Sequence, residues 1–279
     1  MVKSRFGQMI LLGIQRFQDP YYQGFAAQMA FFYLLSIVPL IIVFSQLLDV
    51  FSISTELIEE LLKQYAGGVI GESVSGWLEG SGSVTTNIVL IATVLWSSSR
   101  AQFAMTRITN YTLTAGRSTG KGYFQERFRS IVTILITIFS LAFALIVIVF
   151  GEKILYVVLS GLEVMLNVKY EVDNVWMGLR WVFAFALYFL MVTLNYYIIP
   201  TERGMIREVL PGSIFASAGM LIVTLIYSKY TNYALSAGNY NILYGSLASI
   251  VALLFWFYFI AWVQCLGVLF NKVWKDTKR

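Results

Sequence analysis

The chain has no histidine among its 279 residues, one cysteine and four prolines, and only 13% of it is charged. Without histidine it lacks both the side chain whose proton exchanges most readily near neutral pH and the commonest metal ligand. Cys265 can form no internal disulfide, and its position in an apolar run gives it a buried packing role. A hydrolase built on this chain would have to run on carboxylates, and most of those are scattered between the apolar runs. No catalytic residue, metal site or cofactor is therefore expected. The shortage of charge also excludes a soluble domain: the chain is 58% hydrophobic, with a mean hydropathy of +0.72, too apolar for a water-facing surface of this length.

What is present in quantity is long apolar sequence. Charge-poor stretches run over about 21–48, 85–106, 131–150, 181–199, 209–227 and 242–270. A helix needs about 20 residues to cross a hydrocarbon core about 30 Å thick, and helices satisfy their backbone groups without water. The expected fold is all-α: a polytopic integral membrane protein with six transmembrane helices in one domain covering residues 1–279. Charge supports that number. Counting the intervening segments on alternate sides places Lys3, Arg5, Arg16, Arg100, Arg107, Arg117, Lys121, Arg127, Arg129, Arg203, Arg207, Lys272, Lys275, Lys278 and Arg279 together, fifteen of the 20 basic residues. Lys and Arg are retained in the cytoplasm during insertion, so both termini are expected there. This partition accounts for the pI of about 9.2 without nucleic acid as a partner.

The segments outside the spans carry their own patterns. Phe6, Met9, Ile10, Ile14 and Phe17 fall at near-helical spacing, as in a helix lying along the inner leaflet. Between the first two spans, residues 51–80 place Leu57, Ile58, Leu61, Leu62 and Tyr65 opposite Glu56, Glu59, Glu60 and Lys63, an amphipathic exterior helix ended by Gly67-Gly68. It reads as a lid over the spans or as a moving outer gate. In the cytoplasmic loop, Gly116-Arg117-Ser118-Thr119-Gly120-Lys121-Gly122 is close to a phosphate-binding loop. Its glycines stand one residue too close, Gly122 occupies the place of the magnesium-binding Ser or Thr, and no strand precedes it. A basic loop held near anionic headgroups explains the same residues.

Polar residues inside the spans are the functional candidates, because in hydrocarbon they must face the bundle interior or a wet cavity. The first span carries Gln28 and Ser36, and Pro39 removes a backbone bond near its middle. In the second, the helix continues past its apolar stretch through Ser97, Ser98, Ser99 and Arg100. At ~1.5 Å per residue Arg100 lies roughly 22 Å from Thr85, inside the inner half of the bilayer. Its guanidinium either snorkels to the headgroups or enters the bundle to meet Glu202, Glu208 or an anionic headgroup, which its planar fork can grip with two hydrogen bonds. The fifth and sixth spans carry small residues at packing spacing: Gly212, Ser213, Ala216, Ser217 and Gly219, then Gly245, Ser246, Ala248, Ser249 and Ala252.

The run Ala26-Ala27-Gln28-Met29-Ala30-Phe31-Phe32-Tyr33-Leu34-Leu35-Ser36-Ile37-Val38-Pro39-Leu40 resembles a signature of the YihY/BrkB family of bacterial inner-membrane proteins. Leu95-Trp96-Ser97-Ser98-Ser99-Arg100 with Thr109-Asn110-Tyr111 is similar to a second. Pro200, Leu210-Pro211-Gly212, Tyr240-Asn241-Ile242-Leu243-Tyr244-Gly245-Ser246-Leu247 and Leu266-Gly267 match its carboxyl half. The resemblance implies six spans. It departs after Gly267, where a small residue and a glutamate are usual and Val268-Leu269 stand here. Family members have been called transfer-RNA-processing ribonucleases and linked to serum resistance in a pathogen; RNA cleavage needs a metal cluster or an acid and base pair that this chain does not display.

The leading expectation is a transporter or flippase-like protein moving an amphipathic, anionic lipid or lipid-linked molecule, with membrane lipids as its partners. Its pathway residues are Gln28, Ser36, Pro39, Ser97, Ser99, Arg100, Asn110, Glu202, Asn241, Tyr244 and Gly245. The competing expectation is a non-transporting scaffold for envelope proteins.

Overall fold

In the computed structural model, residues 11–15, 18–50, 84–140, 172–201, 204–236 and 247–278 are described. Among them there are seven helical segments and no strand. After a helical turn at 11–15 come α1 (Pro20–Val50), α2 (Val84–Leu113), α3 (123–140), α4 (Val172–Ile198), α5 (Ile206–Ser236) and α6 (Leu247–Lys278). Among the described residues, three helices contain windows long and apolar enough to cross a membrane: Trp181–Ile198, Ile206–Thr231 and Ile250–Thr277. The exterior amphipathic segment expected over 51–80 lies outside the described residues.

Many large apolar side chains face outward, and the buried interior holds many polar ones beside its apolar core. Phe139 is 76% exposed, Val182 63%, Ile226 63% and Phe255 59%, whereas Ser98, Ser99, Thr106, Thr109, Ser130, Thr133, Ser213 and Ser217 are buried. That is the arrangement of helices surrounded by hydrocarbon: the large apolar groups lose nothing by facing lipid, and the polar ones need protein around them. Most of the buried hydroxyls bond to the carbonyl one turn back on their own helix. Thr106 donates to Gln102 O at 2.8 Å, Thr112 to Ile108 O at 2.7 Å and Ser217 to Ser213 O at 2.7 Å. Satisfied this way, they act as small residues at helix contacts.

α6 is the central post, packed against α5, α1 and α2, while α1 also packs on α2 and α4 on α5. Met29, Ile108, Val192, Met220, Ala261 and Cys265 meet in the core, and Cys265 is 1% exposed, as its apolar setting requires. At the crossing of α5 and α6, Gly212 faces Gly267. A Cβ on Gly267 would come within 2.8 Å of Ala216 Cβ and 2.9 Å of the Gly212 carbonyl, so only glycine permits this approach. Pro211 lies inside α5, and the next N–H, that of Gly212, donates to Asn271 Oδ1 on α6 at 2.6 Å.

At the end where α1 starts and α2 stops, Asp19 caps α1 by accepting the Tyr21 N–H at 3.0 Å, with Pro20 in the first helical position. The same carboxylate accepts the Tyr111 hydroxyl at 2.6 Å. That hydrogen bond pushes the Tyr111 pKa up to about 12. The glycine-rich loop after α2 closes on Glu126: the Lys121 N–H donates to Glu126 Oε1 at 3.2 Å, and Gly120, at φ 145°, leaves room for that side chain.

Candidate functional site

All six long helices contribute to a central cavity of about 390 Å³. α2 presents Ser98, Gln102 and Met105 to it, and α6 presents Trp256, Ile260 and Gln264. Those residues recur at three- and four-residue spacing, so each set forms one face of its helix. α1 adds Tyr33 and Ser36, α3 adds Thr137 and Ser140, α4 adds Trp181, Tyr188, Asn195 and Tyr196, and α5 adds Met220 and Thr224. No charged side chain is among the described residues that line it.

Gln264 is the hub of its polar wall. Its Oε1 accepts the Tyr33 hydroxyl at 2.9 Å, its backbone carbonyl accepts the Tyr196 hydroxyl at 2.6 Å, and among the described residues its amide nitrogen meets only the Met220 sulfur, at 3.9 Å. Sulfur is a weak acceptor, so an amide donor stands available to a guest. Gln102 Nε2 donates to Thr137 Oγ1 at 3.2 Å, tying α2 to α3, and Trp256 Nε1 donates to Thr224 Oγ1 at 3.4 Å. Ser98 Oγ is buried in the wall and has no hydrogen-bond partner among the described residues. A buried hydroxyl without a partner costs free energy that a bound polar group or water would recover.

A second pocket of about 260 Å³ opens at the Lys275 end. Thr109, Tyr196, Tyr197, Glu208, Val268, Asn271, Lys272 and Lys275 line it. Lys275 Nζ pairs with Glu208 Oε2 at 2.8 Å across it. Outside the bundle, a groove of about 350 Å³ lies between Gln28 and Phe25 of α1 and Arg107 of α2.

The sequence-derived candidates distribute as follows. Ser36 is 3% exposed, lines the central cavity and donates to Tyr33 O at 2.8 Å. Ser99 is fully buried but turned to its own helix, donating to Trp96 O at 2.8 Å. Arg100 is exposed and does not line the cavity; its guanidinium sits 5.5 Å from the Phe32 ring centre, on the outer face of the α1–α2 pair. Gln28 is exposed in the outer groove. Asn110 is a structural tie, its Nδ2 donating to Thr119 O at 3.3 Å and its Oδ1 accepting the Thr201 N–H at 2.9 Å. Pro39 and Ser97 lie on α1 and α2, with side chains outside the described set. Glu202, Asn241, Tyr244 and Gly245 are outside the described residues.

Sequence reasoning missed Gln102, Asn195 and Gln264, although each is an amide inside an apolar run and so carries the signal that singled out Gln28. It also passed over Glu126, 2% exposed, which accepts the Thr201 hydroxyl at 2.6 Å and holds the loop after α2 against the end of α4.

No solved structure matches this chain. It is 27% identical over 266 residues, 92% of its own length and 91% of the relative's, to a putative ribonuclease-like protein, YfkH, of Bacillus subtilis (strain 168). Residues 14–279 match the family described as virulence factor BrkB, so the chain belongs to that family of membrane proteins.

Proposed function

We propose that this protein is a single six-span domain of the bacterial cytoplasmic membrane, with both termini cytoplasmic, that moves an amphipathic, anionic lipid or lipid-linked molecule between leaflets. The central cavity carries the reading. Its volume of about 390 Å³ falls in the range of small-molecule sites, and it combines apolar walls with uncharged hydrogen-bonding groups from all six helices. Such walls take the place of water around a headgroup while the acyl chains stay against the exposed outer faces of the bundle. Arg100, exposed beside Phe32, is placed to gather anionic headgroups before they enter.

The ribonuclease-like name belongs to the relative, and the chemistry here favours transport over hydrolysis. The chain has no histidine, and no group of three His, Cys, Asp or Glu among the described residues could hold a metal ion. Movement follows a gradient, an ion or downstream consumption.

The test is reconstitution into liposomes with fluorescently labelled lipids. The wild type is expected to move an anionic lipid between leaflets. Gln264→Leu should slow that movement about five- to tenfold, the effect of losing ~1–1.5 kcal/mol of hydrogen bonding to the guest, and Arg100→Ala should slow anionic lipid more than zwitterionic lipid. Movement of no lipid class by folded wild type would sink the reading, and equal rates for wild type and Arg100→Ala would remove the role given to Arg100.

A further inference from the structure

The lining of the central cavity and that of the Lys275-end pocket continue one another along three helices. On α2, Ser98, Gln102 and Met105 line the first and Thr109 and Leu113 the second. On α6 the same face runs from Ile260 and Gln264 into Val268, Asn271, Lys272 and Lys275. Steps of three and four residues keep each series on one side of its helix, so the two cavities lie on one axis. Tyr196 is the one described residue common to both walls.

Tyr196 is 2% exposed. Its hydroxyl donates to the Gln264 carbonyl at 2.6 Å, and its ring end rests on Gly267, where any side chain would collide with the hydroxyl. Beyond it, Thr109 lines the second pocket, and its buried Oγ1 has no hydrogen-bond partner among the described residues. The Glu208–Lys275 ion pair at 2.8 Å spans the outer end of that pocket. At the far end the central cavity reaches Trp181, which is 41% exposed. Fifteen helical residues separate Trp181 from Tyr196, roughly 22 Å at the α-helical rise.

Resting on the transport reading above, the geometry points to Tyr196 as the gate between the central chamber and the Lys275-end vestibule. The ring blocks the passage, and the hydroxyl latches it to Gln264, the residue whose side chain also holds Tyr33 and faces the guest. A guest that engages the Gln264 side chain therefore acts on the residue to which the gate is fastened. This structure is the state closed at Tyr196.

Cysteine accessibility tests the assignment without knowledge of the cargo. The single native cysteine is replaced first, as Cys265→Ser, and either Ser98→Cys or Thr109→Cys is added. Vesicles with the Lys275 end facing the bulk solution are treated with a membrane-impermeant maleimide. The thiol of T109C should label from that side and that of S98C should not. Adding Tyr196→Ala should open S98C to labelling. Tyr196→Phe, which keeps the ring and loses only the latch, should raise its labelling about fivefold, as expected for one net hydrogen bond. Labelling of S98C from that side with Tyr196 intact would overturn the assignment, as would continued protection in both Tyr196 variants. Tyr196→Phe preserves the bulk of the side chain and keeps the test decisive if Tyr196→Ala does not fold. The expected labelling pattern without lipid movement in the reconstitution above would leave the gate standing and remove the transport reading.

Discussion

Asn271 ties α6 to the start of α5 beside Pro211. Pro211 supplies no N–H, and its ring disfavours a regular turn around it. One residue later, the Gly212 N–H is satisfied by Asn271 Oδ1 on the neighbouring helix. Asn271→Leu removes that acceptor and strands a buried donor, so it should lower stability by about 1–3 kcal/mol, read as a lower unfolding midpoint in detergent. Asn271→Asp, which keeps an oxygen in place, should lose less, and equal losses would count against this account. Tyr111 is the other residue whose role is measurable by itself. Its donation to Asp19 raises its pKa to about 12 from the ordinary value of about 10. A raised folded pKa means that the tether is intact below about pH 10 and is lost as pH rises to about 12. In the difference between wild-type and Tyr111→Phe tyrosinate absorbance, one group should therefore titrate at about 12; a group titrating near 10 would show that the tether is not formed.

At the scale of elements, the α5–α6 crossing sets the bundle, because it brings two backbones together rather than two side-chain layers. Gly267→Val would drive its new atoms into Ala216 and the Gly212 backbone, neither of which can rotate away, so a loss of about 3 kcal/mol or more is expected. Gly219→Ala on the same face of α5 would meet the Val263 side chain at 2.7 Å. That chain can change rotamer, and the loss should stay near 1 kcal/mol. Unfolding midpoints of the two variants give the comparison, and an order opposite to this would mean that the crossing is not held where described. The small-residue spacing on α5 was legible in sequence. Its partner was not: among the described residues, Gly212 and Ala216 meet Gly267, and Gly219 meets Val263. A small-residue stripe says that something approaches closely, and only packing says what.

For the whole molecule, the distribution of charge and the candidate cavity make a joint expectation. Reporter fusions in the loop 114–122 and after Lys278 should score as cytoplasmic, and one within 51–80 as exterior. The Lys275-end vestibule would then face the cytoplasm, and Tyr196 would be the cytoplasmic gate. A C-terminal fusion scoring exterior would reverse the direction of the pathway while leaving its geometry intact.

The helical class, the long apolar runs, the absence of histidine and the family signatures were determined by the sequence alone, since each depends on composition or local spacing. Which side of each helix looks inward was decided only by tertiary structure. Arg100 and Gln102 show why. Both are polar intrusions in one apolar run, two residues and therefore about 200° apart around α2. The helix cannot turn both toward the same neighbour. Packing against α3 takes Gln102 to Thr137 and the cavity and leaves Arg100 outside over Phe32. A single helix has no inside until another helix covers one of its faces.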